Sequence, residues 1–171
     1  MSVLTYRLPR LADKAALMEY VEEHRRCGET DVNAGLGVDS MPYGQWLSQI
    51  LRNAEVPNGK WGRSLVLLCL DGDTLVGLLC IRYELPEEYA RLYGHIGYGV
   101  RPSLRRQGYA SAMLRHALAV CREKGLDAVL LGCHADNVPS RRIIEGCGGV
   151  LTAENDDYIP GKLSRYYRIE L

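Results

Sequence analysis

The chain has 171 residues, enough to bury the core of one domain and too few for two well-filled ones, so residues 1–171 are expected to form a single unit. Lys+Arg and Asp+Glu both total 21, which excludes the global basic field that drives nucleic-acid or anionic-membrane binding. The 6 cysteines are scattered without a Cys-x-x-Cys pair, the N-terminal MSVLTYRLPRLADK has no signal-peptide core, and no apolar run reaches membrane-spanning length; the expectation is a soluble cytoplasmic protein with reduced, buried thiols and no metal.

Taken in order, Val3 to Leu8 alternates as a first strand and Pro9 closes it. Leu11 to Cys27 reads as a helix with Leu11, Ala15, Met18 and Val21 on its apolar face and Gly28 as its stop. Glu29 to Pro42, rich in Gly, Asp and Asn, reads as an exposed loop, of a length usually tied to function or mobility. Tyr43, Trp46, Leu47, Ile50, Leu51 and Ala54 recur at helical spacing, and Pro57-Asn58-Gly59 ends that helix. Ser64 to Leu70 and Leu75 to Tyr83 flank Asp71-Gly72-Asp73 as a hairpin, with Arg82, Tyr83 and Glu84 towards the end of its second strand. Leu85 to Gly94 is an irregular or single helical turn.

The central strand is His95 to Val100, where His95, Gly97 and Gly99 alternate with Ile96, Tyr98 and Val100 before Pro102. Ala110, Met113, Leu114, Ala117, Leu118 and Cys121 then form one face of a helix that stops at Gly125. Ala128 to Cys133 is continuously apolar, as a buried parallel strand would be. His134-Ala135-Asp136-Asn137 leads into a helix from Pro139 to Cys147 with proline in its first turn. Val150 to Ala153 and Leu163 to Leu171 are final strands, separated by a polar turn from Glu154 to Gly161. A meander followed by alternating strand and helix predicts an α/β mixed sheet with helices on both faces.

The most informative stretch is Arg105-Arg106-Gln107-Gly108-Tyr109-Ala110, between the central strand and its helix. Gly108 lacks a Cβ and Ala110 is small, so a ligand can approach the backbone. The first amides of the helix have no internal partner and carry the positive end of the macrodipole, which suits a phosphate. Arg-x-x-Gly-x-Ala is neither a Walker loop nor a dinucleotide fingerprint. It resembles the acyl-CoA pyrophosphate loop of the GNAT superfamily of N-acetyltransferases. A second motif, Asn137-Val138-Pro139-Ser140 through Gly146-Cys147-Gly148-Gly149, resembles that superfamily's segment after the fifth strand. Gly94 to Ala110, with Arg165-Tyr166-Tyr167, is most similar to an uncharacterised bacterial acetyltransferase subgroup.

That resemblance implies a mostly antiparallel sheet of about seven strands whose fourth and fifth strands splay apart. Acetyl-CoA would be the cosubstrate, with its pantetheine paired to Tyr98, Gly99 and Val100. The amides from Arg105, Arg106, Gln107, Gly108, Tyr109 and Ala110, with the Ser111 hydroxyl, would hold the pyrophosphate, and Asn137 and Ser140 would face the pantetheine arm. The N-terminal helices and their loop would roof a cleft for a small-molecule or peptide amine.

Only about one alkyl amine in a thousand is deprotonated at neutral pH, so a general base is useful. Glu84 and His95, near the ends of neighbouring strands, are the candidates, and the Val100 amide at an expected strand bulge is the oxyanion donor. The superfamily's usual tyrosine acid falls on Ile144 here; Tyr166, Tyr167, Ser140 or water are the substitutes. Three alternatives stay open: a CoA-binding sensor without catalysis, a binder of another nucleotide phosphate, and a loop that merely caps a helix. An unpaired edge among the terminal strands leaves a homodimer open as well.

Overall fold

The structure is a computed structural model that describes residues 3–171. In chain order it contains β1 (Thr5–Arg7), α1 (Lys14–Arg26), α2 (Tyr43–Glu55), β2 (Leu65–Asp71), β3 (Thr74–Ile81), α3 (Glu87–Tyr93) and β4 (Ile96–Val100). Then follow α4 (Tyr109–Glu123), β5 (Ala128–His134), α5 (Val138–Gly146), β6 (Val150–Ile159) and β7 (Lys162–Glu170). The strands form two sheets, ordered β1-β2-β3-β4 and β5-β7-β6, and every ladder in them is antiparallel. The expected parallel pairing of β5 is therefore corrected: its ladder partner is β7, and its apolar run reflects burial of Val129 and Leu131 beneath helices. No helix among the described residues is long and apolar enough to cross a membrane.

The first sheet is apolar on both faces because each face meets its own helices. Val66, Leu68, Leu75, Leu78 and Cys80 pack against Leu17, Tyr20 and Val21 of α1 and Trp46, Leu47 and Ile50 of α2. Leu67, Cys69, Val76, Leu79 and Ile81 turn the other way, onto Met113, Leu114, Ala117 and Cys121 of α4. Burying these side chains contributes roughly 1.5–3 kcal/mol each before entropy is counted, which makes the two layers the main source of stability.

Four expected elements differ in detail. The buried face of α1 is Leu17, Tyr20, Val21 and His24, not the set led by Leu11, which is 73% exposed. The helix proper begins late because Asp13 is held by the Arg7 guanidinium and the Arg10 amide, so Leu11 lies in a 3-10 turn outside its phase. On α2, Asn53 rather than Leu51 completes the buried face, where its carbonyl accepts the Ser64 amide. β3 stops at Ile81, and Leu85 N–H closes a turn on Arg82 that leaves Glu84 outside the strand. Most of the expected polar turn from Glu154 to Gly161 is strand, because β6 is a solvated edge whose residues need not alternate.

The segment between α1 and α2 is also less exposed than expected. Val32, Gly35 and Val38 are buried, and Trp46 Nε1 donates to the Gly35 carbonyl at 2.7 Å. Ala34 and Leu36 adopt φ of 64° and 46°, a left-handed kink that lays Asn33 against Gly99 of β4.

Gly77 of β3 lies where the sheet and α4 leave no room: an added Cβ would overlap the Gly99 carbonyl oxygen and lie 3.0 Å from Met113 Cε. Gly97, two residues along β4, would meet nothing nearer than Ala34 Cβ at 4.0 Å. Gly77→Ala is expected to lower stability by about 2–3 kcal/mol in urea unfolding, while Gly97→Ala leaves the fold intact. Equal midpoints for the two variants would contradict this packing.

Candidate functional site

The site starts where β4 and β5 part. Gly94, at φ 71°, packs directly on the backbone of Leu130 to Gly132. The His95 amide donates to the Leu130 carbonyl at 2.8 Å, and the Leu130 amide donates back to His95 Nδ1 at 2.9 Å. A side-chain nitrogen thus occupies the place of the next backbone acceptor, and no ladder joins the two strands beyond it.

The other edge of β4 is paired with β3. Arg82 N–H donates to His95 O and Arg101 N–H to Val76 O, so by antiparallel alternation Gly97 and Gly99 also turn their backbone groups to β3. Those of Ile96, Tyr98 and Val100 face the gap. Arg105 Nε reaches the Val100 carbonyl from that side at 3.2 Å, in agreement with this. The expected bulge is absent: the register runs unbroken from Ile81↔Ile96 to Gly77↔Val100, and plain strand alternation aims the Val100 amide into the gap.

At the wide end lies the Arg105–Ala110 loop. Arg106 and Gly108 take φ of 64° and 86°, and the first intrahelical bond of α4 is Ala112 N–H to Gly108 O at 3.1 Å. The Tyr109, Ala110 and Ser111 amides therefore project from the helix start with no partner in α4. Tyr109 contributes backbone only, since its ring is buried and its hydroxyl bonds Asp71 Oδ2 at 2.7 Å. Arg106 and Gln107 are exposed. Arg105 is held by Glu29 through contacts of 2.6 and 2.9 Å, and the Arg105 guanidinium holds the Glu29 carboxyl below its usual range, helped by His24 Nδ1 at 2.6 Å.

Across the gap, Asn137 Oδ1 caps α5 by accepting the Ser140 amide at 3.1 Å. Ser140 Oγ in turn meets the Tyr98 hydroxyl at 2.9 Å, so this pair bridges β4 and α5, and burial pushes the Tyr98 phenol up to about 12. These residues line a cavity of about 280 Å³ with Ile96, Gly97, Cys133 and the fully buried Ile144. A larger hollow of about 580 Å³ lies under α3, with Glu87, Arg91, Asp157 and Arg168 in its walls, apart from the phosphate-type loop.

Neither base expected from the sequence is placed for that work. Both Glu84 oxygens accept from Arg63, its backbone amide included, and that guanidinium holds the carboxyl below the usual range. Glu84 does not line the cavity. His95 has spent the lone pair of Nδ1 on Leu130, and burial lowers its pKa, so the ring is neutral with its remaining hydrogen on Nε2. Tyr166 does line the cavity: it is 7% exposed, and its hydroxyl is buried without a partner at hydrogen-bonding geometry.

The lining residues not singled out from the sequence include His134, Arg82, Tyr93 and Tyr158. His134 ends β5, and its Nδ1 lies 3.2 Å from Ser164 Oγ, which leaves Nε2 for another group. Its position at a strand end, three residues before Asn137, was the available signal. Among the described residues no cluster of three or more His, Cys, Asp or Glu stands ready for a metal.

The geometry is that of a splayed-sheet acyltransferase fold, and solved structures agree. The chain is similar to a microcin C7 self-immunity acetyltransferase solved with acetyl-CoA and AMP, at 14% identity and TM-score 0.75 over 100% of this chain and 94% of that one. It is also similar to a Salmonella typhimurium acetyltransferase that modifies the N-terminal serine of ribosomal protein L7/L12 (16% identity, TM-score 0.71, 100% and 96% covered). A third is YncA of Salmonella typhimurium, solved with its cofactor acetyl-CoA (16% identity, TM-score 0.69, 98% and 94% covered). No curated relative matches the sequence. The family model for the acetyltransferase (GNAT) family matches residues 36–148, more than half of the chain, and the chain belongs to that family.

The His95 clamp has a pH signature. Its folded-state pKa lies below the ordinary 6.5, so in the window between the two values the unfolded chain binds more protons and stability falls as pH is lowered. A His95→Asn variant is expected to lack this term. The difference in urea stability between wild type and variant should shrink by up to about 1.4 kcal/mol per pH unit below 6.5. Parallel pH profiles would show that the ring is not held neutral.

Proposed function

We propose that the chain transfers an acetyl group from acetyl-CoA directly to a primary amine held in the same cavity. The observation that carries this reading is the gap itself: a strand edge with no ladder partner at Tyr98 and Val100, opening onto unpartnered amides at the start of α4. The residues suit acetyl-CoA, because the edge matches the amides of a pantetheine arm and the helix start, in a loop pinned by Arg105, matches a pyrophosphate. Bound there, acetyl-CoA would supply a thioester whose carbonyl the amine attacks.

The chain's own groups then have separate tasks. The Tyr98 and Val100 amides face the gap as donors for a developing oxyanion; one such donor contributes on the order of 3 kcal/mol to a transition state. His134 takes the proton from the ammonium at Nε2 when Nδ1–H donates to Ser164 Oγ. Tyr166, kept protonated by burial, has a hydroxyl with no partner at hydrogen-bonding geometry and is the donor for the departing thiolate. Asn137 and Ser140 face the arm, and Ile144 supplies packing where the superfamily pattern has a tyrosine. The amine belongs to a small molecule or a peptide terminus, in line with the serine N-terminus modified by one structural neighbour.

A second reading, a CoA-binding module without transfer, draws on the same facts about Glu84, His95 and Ile144. Thermal unfolding with acetyl-CoA, and thiol release with an amine panel, separate the two. Acetyl-CoA at a hundredfold its Kd should stabilise the protein by about 2.7 kcal/mol, and Arg105→Ala/Gly108→Glu should abolish that shift. His134→Ala should keep the shift and lower kcat by about a hundredfold. Stabilisation without thiol release from any amine favours the binding module; no stabilisation removes both readings.

A further inference from the structure

One wall of the cavity differs in kind from the phosphate-type loop. Tyr93 from α3, Tyr158 from β6 and His134 from β5 line that wall. Tyr93 and Tyr158 meet edge to face at 5.9 Å, His134 lies 6.2 Å from Tyr158, and Trp61 buttresses Tyr93 from outside at 4.8 Å. Three separate elements thus converge to set rings around one opening, with Tyr93 and Tyr158 36% and 46% exposed. Rings left this accessible at a cavity mouth offer faces to a planar ligand.

The charge there has one sign. Among the described residues lining the cavity there is no Asp or Glu, and the ionised side chain is Arg82. Arg82 is half-buried, and one arm donates to the Gly94 carbonyl at 3.2 Å. Arg63, Arg91 and Arg105 each hold a carboxylate, whereas Arg82 has no acidic partner among the described residues. A guanidinium in a partly desolvated wall gains most from an anion that it can grip with paired N–H groups. A polycation such as a polyamine meets repulsion here with nothing to offset its desolvation.

Resting on the acetyl-transfer reading above, we infer that the acceptor is an amine whose own molecule carries an acid group for Arg82 and a planar ring for Tyr93 and Tyr158. Two sources share that chemistry, an aromatic amino acid with its carboxylate and an aminoacyl nucleotide with its phosphate.

The test measures kcat/KM by thiol release and product mass for L-tryptophan and L-phenylalanine, their decarboxylated counterparts tryptamine and phenethylamine, L-alanine, spermidine, and a stable sulfamate analogue of phenylalanyl adenylate. A ring-and-acid amine should exceed its acid-free counterpart by at least about tenfold, the size of one lost charge-assisted hydrogen bond. Arg82→Gln should cut that ratio to near one and leave the acetyl-CoA thermal shift in place. Tyr158→Ala should raise KM for ring-bearing amines and not for L-alanine. Preference for the adenylate analogue over the free amino acids assigns the anion as phosphate-like; the reverse assigns a carboxylate.

Faster transfer to spermidine or tryptamine, or a ratio unchanged by Arg82→Gln, overturns the inference and leaves the transfer reading standing. So does an acetyl-CoA shift with no ring-and-acid amine acetylated. Absence of the acetyl-CoA shift removes the transfer reading, and this inference falls with it.

Discussion

Leu130 bonds twice to His95, once to its amide and once to its imidazole, and the second bond decides the shape of the protein. In an ordinary ladder a backbone carbonyl would accept the Leu130 amide and the strands would continue side by side. A ring nitrogen is set back from the backbone, so satisfying the same donor with it moves β4 and β5 out of register and apart. The buried amide is paired, as it must be, and the cost is transferred to the edge of β4. That edge is left without a ladder at Tyr98 and Val100, which in a folded protein makes it a binding surface for something strand-like. Gly94 completes the device: a Cβ there would press within 3.2–3.3 Å of the Leu130–Gly132 backbone and force the clamp open.

The helix α1 carries this local geometry across the molecule. Its Tyr20 hydroxyl donates to the Gly99 carbonyl at 3.1 Å, and Glu23 accepts the Ser103 amide at 2.7 Å while pairing with Arg101. The Arg101 side chain is only 11% exposed, so leaving it unpaired would be costly in a way a surface ion pair is not. One helix face thereby fixes β4, the turn after it and the start of the phosphate-type loop, although none of these is near α1 in sequence. The packing in the first sheet is therefore coupled to the position of the site: a shift of α1 moves the C-terminal end of β4.

What the sequence made legible is what local pattern encodes. The α4 face, the α2 start at Tyr43, the Asp71 hairpin and the loop around Gly108 all follow from periods and breakers within a few residues. The misread parts depend on partners distant in the chain. Glu84 reads as a free strand-end carboxylate until Arg63, 21 residues earlier, is seen to hold it. His95 reads as a base until Leu130, 35 residues later, takes its lone pair. Arg82, Tyr93, His134 and Tyr158 carry no shared motif, and only the folding of four elements brings them to one cavity. β6 reads short in the sequence for the opposite reason: as an exposed edge it has no buried face to leave a period-two mark.

The phosphate end also shows why a motif and a charge are different things. Arg105 is the signature cation of the loop, yet two of its nitrogens pair with Glu29 and the third faces the Val100 carbonyl. Glu29 is itself braced by His24, a ring that is 1% exposed. Paired in this way, Arg105 adds little net field; what the ion pair supplies is position, pinning the loop to the end of α1 and to β4. The unpartnered attraction for an anion comes instead from the Tyr109, Ala110 and Ser111 amides, whose direction is set by the left-handed turn at Gly108. Any side chain at residue 108 would be strained at φ 86°, whereas the field of the helix start survives any substitution that keeps α4 helical. The glycine is thus the part of the motif with no substitute, and the arginine is the part whose role depends on its neighbour.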